Sequence, residues 1–434
     1  TADWKRTFWA ILVTEFLALA GFNTSLPILP FYFADDLGVT DPAALKLWVG
    51  ASQAVVAISL MVFAPIWGRL ADTRGKRLML LRATFGGALV MCLMGIVTRP
   101  WQLFALRGFQ GMLTGTVAAA DLLVAAITPR ERAGWALGLL TTGTYVGQSI
   151  GPAIGGVLSD LFGHRVNFAV SAVFLVAAGI IVLRFIPRDR PVAAATGALW
   201  RQVLPDFTPL ARNRELAAVL VVSGIVQAST SVVGPILPLF IKSMTPDAAL
   251  VASTTGLILT VTSVAAALAA AGVGRISWRI GTERTLHLCL WGACLLVVPQ
   301  AFSRTPMQLL VFRTIGALFL GGAMPAINAL IALRADREHQ GSVFGLSSSI
   351  NSAGWALGPM IGASVAIGAG YPPVFLVTAG GLALTAIAAQ RLIRRPIATE
   401  EERARAADLI LEAATLGQPD AQMLLAASHL FRTD

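Results

Sequence analysis

Apolar residues fall in twelve long runs, at about 7–33, 47–70, 78–98, 101–127, 135–160, 166–186, 216–241, 250–274, 285–302, 307–333, 343–368 and 373–392. About 20 mostly apolar residues are needed for a helix to cross a ~30 Å hydrocarbon layer. The runs are continuous, with none of the ten-residue alternations of a transmembrane β-barrel. The pattern therefore predicts an all-α membrane protein of twelve transmembrane helices. Several runs contain Gly or Pro, which membrane helices tolerate when neighbours satisfy the freed backbone groups. The first run follows Lys5 and Arg6 and is too long for a signal-peptide core, so it reads as a span.

The longest polar gap divides the spans six and six. Residues 1–186 form an N-terminal bundle, 187–215 a linker containing Pro187 and Pro191, 216–395 a C-terminal bundle, and 396–434 a polar tail. Internal repeats support the division. Pro27-Ile-Leu-Pro30 recurs as Pro235-Ile-Leu-Pro238, and Gly68-Arg-Leu as Gly274-Arg-Ile. Arg107 recurs as Arg313, and Gly151-Pro-Ala-Ile-Gly155 as Gly358-Pro-Met-Ile-Gly362. The offsets are 208, 206, 206 and 207 residues. Parallel repeats of this kind place a binding site between the halves, near the bilayer midplane, with access alternating as the halves rock.

Composition agrees. The chain has 434 residues, 56% of them hydrophobic and 13% charged, whereas soluble domains carry about 25% charge. The net charge of +10 would suggest nucleic-acid binding in a soluble protein, but here it sits in loops. With both termini placed in the cytoplasm, 22 Lys and Arg fall in inside loops and 5 (Lys46, Arg99, Arg165, Lys242, Arg304) outside. This asymmetry predicts cytoplasmic termini. Cys92, Cys289 and Cys294 lie inside apolar runs without metal-ligand spacing, and no metal or cofactor site is expected. No P-loop occurs, so energy must come from a gradient or from the substrate. No catalytic constellation stands at a membrane surface, which argues against an enzyme. Nor does any ring of charge or filter sequence suggest a channel.

Four segments carry recognisable motifs: Gly68-Arg-Leu-Ala-Asp72-Thr-Arg-Gly75-Lys76-Arg77 after span 2, Arg107 with Gln110, Gly111 and Gly115 in span 4, Gly143, Gly147, Gly151-Pro152 and Gly155-Gly156 in span 5, and Leu26-Pro27-x-x-Pro30 at the end of span 1. The first two resemble the loop signature and the span 4 motif of the major facilitator superfamily. The last two resemble the antiporter motif and the drug-exporter span 1 of its twelve-span drug:proton antiporters, of the bacterial fosfomycin/deoxycholate-resistance type. The resemblance implies proton-coupled export of small amphipathic compounds across a bacterial inner membrane by a monomer. It also implies that Asp72, Lys76 and Asp121 form a charge relay at a cytoplasmic gate, together with Arg77. Lys76 stands where the family usually has Arg, so it offers a point charge in place of a fork. The second copy has Trp278 where the first has Asp72, so the gate is one-sided.

Individual residues point to chemistry without the family. Glu15 is the one acid in the middle of a span, about eight residues or ~12 Å in. Desolvation disfavours its charged form, which suits a group that takes up a proton on one side and releases it on the other. A structural ion pair is the competing reading. Arg107 lies about seven residues into span 4, where a charge marks function by default. It needs backbone carbonyls, Glu15 or a bound anion as partner, unless it snorkels to the surface. Asp72 and the cations Lys76 and Arg77 either latch one conformation or only enforce topology. Asn23, Gln53, Tyr145, Gln148, Gln227 and Asn328 are polar positions in apolar runs. Each can face a central cavity or join helices. Gly147, Gly151 and Gly155 share one helix face, which suits close helix packing, and Pro152 should bend that helix.

The tail, with Thr399 and Glu402 spaced as a capping box, resembles one Sel1-like repeat and is expected to pack on the transporter or a cytoplasmic partner. The alternative function on the same fold is a flippase or exporter for one lipid-like or siderophore-like metabolite.

Overall fold

The computed structural model describes residues 3–129, 133–188, 214–245, 250–334 and 340–392. Most of the linker and the whole tail lie outside this set. The predicted spans appear as helices α1 (Asp3–Asn23), α2 (Pro42–Arg74), α3 (Lys76–Ile96), α4 (Pro100–Leu113) and α5 (Thr116–Ile127). Then follow α6 (Ala133–Phe162), α7 (His164–Phe185), α8 (Arg214–Ser231), α9 (Leu237–Met244) and α10 (Val251–Ile280). The set ends with α11 (Thr282–Gln300), α12 (Pro306–Leu320), α13 (Ala323–Arg334), α14 (Gln340–Ala369) and α15 (Pro372–Leu392). Among the described residues 7 helical stretches are long and apolar enough to cross a membrane unaided.

The sequence pattern gives twelve continuous spans, but four are jointed. Span 1 breaks after Asn23 and resumes through a short turn, Leu29–Phe31, and a π-helical turn, Tyr32–Asp36. Span 7 breaks between α8 and α9, span 4 between α4 and α5, and span 10 between α12 and α13. These are the first members of the four groups of three spans. Prolines explain two of the breaks, since Pro27 and Pro235 each lack the N–H that continues a helix. Local hydroxyls take up the freed carbonyls. Thr24 Oγ1 donates to the Gly21 carbonyl at 2.9 Å and Ser25 Oγ to that of Phe22 at 3.2 Å. In the second copy Ser231 Oγ donates to the Gln227 carbonyl at 2.9 Å. The span 4 break needs no proline: Gly115 takes φ +115°, a left-handed conformation that side chains disfavour.

Three hydrophobic clusters show how the halves meet. One draws on both halves near the Arg-poor end, joining Ile28, Tyr32 and Phe168 to Val232, Phe240 and Phe375. The other two lie toward the Arg-rich end and are separate. One is built within the N-terminal half around Phe8, Leu80 and Leu123, the other within the C-terminal half around Leu220, Leu290 and Ile331.

Polar contacts follow the same plan. The Asp160 carboxylate accepts the Ser253 amide N–H at 2.7 Å. Lys46 Nζ donates to the Ala366 carbonyl at 2.7 Å and lies 5.0 Å from the Tyr371 ring centre. Thr260 Oγ1 donates to the Ser149 carbonyl at 2.6 Å. At the Arg-rich end, a methyl group added to Gly138 on α6 or Gly272 on α10 would meet nothing within 4 Å. Among the described residues, these contacts between the halves gather toward the Arg-poor end. Long apolar side chains such as Leu89, Leu268, Leu295 and Leu384 cover the outer faces and are exposed, as expected of a surface that meets lipid.

Candidate functional site

The break in span 4 organises the charged groups. Thr116, the first residue of α5, donates from Oγ1 to Glu15 Oε2 at 3.1 Å, and both residues are buried. Glu15 Oε1 is buried without a hydrogen-bond partner among the described residues. Asp121, further along α5, is half-buried. A carboxylate with one satisfied and one orphaned oxygen is costly to keep charged. Such a group is suited to hold a proton.

Arg107 does not snorkel. It is 3% exposed, and its partners are neutral amides. Nη1 donates to Gln110 Oε1 at 2.7 Å and Nη2 to Gln53 Oε1 at 2.9 Å. Nε is buried without a hydrogen-bond partner among the described residues. Among the described residues Arg107 forms no ion pair, so the Glu15 partnership considered from sequence is absent from this conformation. Among the described residues the buried cation has no opposite charge beside it, which is expensive.

Sequence reading missed Arg82, although an arginine six residues into span 3 was a visible signal of the same kind as Arg107. It sits 3.7 Å from the centre of the Trp67 ring. Its Nη2 donates to the Thr114 carbonyl at 3.3 Å, and Trp67 Nε1 donates to the Met112 carbonyl at 2.7 Å. A cation and an indole N–H thus occupy the carbonyls that the break in span 4 frees. Thr116 was missed as well, because a lone threonine in an apolar run carries no signal.

Of the gate residues, Arg77 Nη2 donates to the Leu183 carbonyl at 2.9 Å, at the end of α7. Lys76 opens α3 and is half-buried. Asp72 belongs to α2, and its side chain lies outside the described part, so the relay through Asp72, Lys76 and Asp121 stays an expectation. Gly147 and Gly151 pack on the backbone of α1 at Phe16 and Ala20, and Gly155 on that of Thr24, just past its end. A methyl group at Gly147 would come within 2.6 Å of the Phe16 carbonyl oxygen. On the other side of α6, the Pro152 carbonyl meets Gly256 of α10. The glycine face is a seam between spans.

The polar positions divide. Gln227 and Asn328 line an open cavity of about 340 Å³ in the C-terminal half, with Ser347, Ser348, Asn351, Ser352 and Trp355. Gln53 is committed to Arg107. Asn23 Nδ2 donates to the Leu19 carbonyl at 2.7 Å, within its own helix. Tyr145 is exposed and Gln148 half-buried on α6. The serine cluster of α14 was not singled out from sequence, because serines within a membrane helix read equally as packing residues.

The repeats carry this division. At the repeat offsets, Glu15, Gln53, Arg82, Gln110 and Thr116 correspond to Ser223, Leu259, Leu288, Gly316 and Gly322. Only Arg107 keeps its counterpart, Arg313, whose Nη1 lies 3.5 Å from Gln300 Oε1. Apart from Arg313, the charged groups around the span 4 joint have no charged counterpart in the C-terminal half, which instead carries the neutral polar cavity.

Residues 11–252, and again 219–432, match the Major Facilitator Superfamily. The chain is 35% identical over 398 residues to the multidrug resistance protein MdtG of Klebsiella pneumoniae, covering 91% of this chain and 95% of that protein. It is 36% identical over 378 residues to the MdtG of Serratia proteamaculans, covering 87% and 91%. Among solved structures, the nucleoside transporter NupG, as its D323A mutant, superposes with a TM-score of 0.76 at 14% identity, covering 89% of this chain and 100% of NupG. The human organic anion transporter MFSD10 gives 0.66 at 17% identity, covering 89% and 99%. The jointed helices, the two repeated halves and these likenesses agree: this chain belongs to the Major Facilitator Superfamily.

Proposed function

We propose that the protein is a proton-coupled exporter of small amphipathic compounds that works by alternating access, with Glu15 as the proton-carrying group. The observation that carries the reading is the buried carboxylate of Glu15, held by Thr116 at the joint of span 4 and left with one oxygen unpartnered. The name multidrug resistance protein borne by relatives about 35% identical supports the substrate class. The Lys and Arg asymmetry supports an inner-membrane orientation with the Arg-rich end in the cytoplasm. The structure then corresponds to an inward-facing state. The two matches to the superfamily begin 208 residues apart, the same offset as Pro27 and Pro235, which supports the reading of two related six-span halves.

In this cycle a substrate enters from the Arg-rich end as Glu15 gives up its proton to that side. The halves rock, the seal at Asp160–Ser253 and Lys46–Ala366 breaks, and the substrate leaves. A proton from the other side then returns through Glu15. Arg107, on α4 ahead of the joint, holds the buried positive charge of the same half. Lys76, Arg77 and Asp121 flank the joint from the Arg-rich side and form, with Asp72, the gate that closes there.

The test uses inverted membrane vesicles that hold a pH gradient. Adding candidate neutral and cationic drugs should trigger proton release in wild type and none in Glu15→Gln. Release that survives the substitution would move the coupling role to Asp121 or Asp72. Absence of release with every drug would overturn the exporter reading.

A further inference from the structure

The cavity of the C-terminal half has a lining that itself selects a ligand chemistry. Gln227, Asn328 and Asn351 bring three carboxamides from three helices, α8, α13 and α14. Ser348 and Ser352 add hydroxyls, and Trp355 adds an indole that is 45% exposed. Among the described residues no ionisable side chain lines the cavity. The nearest charge further along α13 is Arg334, which is already held by Glu215 at 3.1 Å and Glu283 at 2.6 Å.

The amides are not spent on the protein. Ser223 Oγ donates to Asn351 Oδ1 at 2.6 Å. That bond fixes the amide so that its NH₂ group remains to donate. Gln227 and Asn328 side chains make no hydrogen bond to described residues, and each offers both a donor and an acceptor. Paired donors and acceptors at fixed spacing recognise hydroxyl and amide groups, which need both. The exposed indole offers a flat apolar face for a ring. A cation would find neither a carboxylate nor an anionic ring of groups here, and burying it without a partner is costly.

From this lining we propose that the cavity binds an uncharged group, a ring bearing hydroxyls or amides, and that it selects such compounds over permanent cations. This rests on the exporter reading only for direction of transport; the binding itself requires no coupling. The division between halves then gains a meaning. The N-terminal half holds the charges that respond to protons, and the C-terminal half reads the substrate without charge. Substrate recognition is thereby kept out of the electrostatics of the proton site.

The experiment is equilibrium binding of radiolabelled chloramphenicol and of tetraphenylphosphonium to the purified full chain in lipid nanodiscs, without a gradient. Chloramphenicol is a neutral aromatic with two hydroxyls and an amide; tetraphenylphosphonium is a cation with no hydrogen-bonding group. Chloramphenicol should bind at least about tenfold more tightly. Asn328→Ala, which removes no internal hydrogen bond, should weaken it up to about tenfold, the equivalent of one lost hydrogen bond. Asn351→Asp keeps an acceptor for Ser223 and adds one negative charge, so it should raise tetraphenylphosphonium binding. Equal binding of both compounds to wild type, no binding of chloramphenicol, or indifference of both to Asn328→Ala and Asn351→Asp would overturn the proposal. Chloramphenicol binding that persists when vesicles show no drug-triggered proton release would leave the cavity assignment standing and remove the coupling reading.

Discussion

Arg82 and Trp67 clasp the joint of span 4 between them. The guanidinium lies 3.7 Å from the indole centre, and the two side chains donate to the carbonyls of Thr114 and Met112. Trp67 precedes the glycine that opens the loop signature after span 2, and the joint they hold ends at Thr116, the partner of Glu15. A chain of contacts therefore runs from the C-terminal part of α2 to the buried carboxylate.

Arg82→Ala should reduce drug-triggered proton release more than tenfold. A desolvated cation–π contact is worth about 2 kcal/mol, and a hydrogen bond from a charged donor about 1.5–3 kcal/mol. Trp67→Phe keeps the ring and loses the donor, so a partial loss is expected. Vesicle proton release, measured beside melting of the purified variants, separates a positioning defect from unfolding. Full activity in Arg82→Ala would show that the joint holds itself.

The Asp160–Ser253 bond should set the balance between the two access states. Its charge-assisted hydrogen bond at 2.7 Å contributes about 1.5–3 kcal/mol, so Asp160→Ala should shift a two-state ratio about tenfold or more toward opening at the Arg-poor end. In a background without Cys92, Cys289 and Cys294, a cysteine at Ala252 should react severalfold faster with a membrane-impermeant maleimide when Asp160 is replaced. An unchanged rate would remove this contact from the seal.

Glycines at the helix crossings should respond by position. Gly155→Ala places a methyl group against the Thr24 backbone, and overpacking of this kind costs about 1–3 kcal/mol. Gly138→Ala meets nothing within 4 Å and relieves the entropic cost of glycine in a helix, about 0.5–1 kcal/mol. Thermal melting in detergent should fall for the first and hold or rise slightly for the second. The opposite order would contradict the packing described.

Arg334 holds three helices at the Arg-rich end, joining α13 to Glu215 on α8 and Glu283 on α11. Its side chain is 10% exposed and that of Glu283 14%, against 42% for Glu215. Arg334→Met removes the cation that both carboxylates share. Loss of one partner in a buried pair costs about 3–5 kcal/mol, so melting should fall by several degrees. Glu215→Gln, at the exposed arm, should change it little. Equal effects would mean that burial does not grade these contacts.

Much of this was legible in the chain itself. Twelve apolar runs, the recurrence of Pro27 and Pro30 at Pro235 and Pro238, and the arginine asymmetry need no tertiary information, because lipid leaves the backbone only helices to choose from. Glu15 and Arg107 stood out for the same reason, since a charge in an apolar run is rarely accidental. Arg82 obeyed that rule too and was overlooked.

What the tertiary structure decided is which of these groups meet. Glu15 and Arg107 were natural partners by charge, yet Glu15 turns to Thr116 and Arg107 to Gln53 and Gln110. The break at Thr114–Gly115 made that choice, because it offsets α5 from α4 and leaves carbonyls for Arg82 and Trp67 to occupy. Likewise, Gln53 and Gln227 are both glutamines inside apolar runs, and packing commits one to an arginine and leaves the other facing a cavity. The sequence set the number, length and polarity of the helices through the demands of the bilayer. The pairing of polar groups depends on how jointed helices cross, and hydropathy does not encode a crossing.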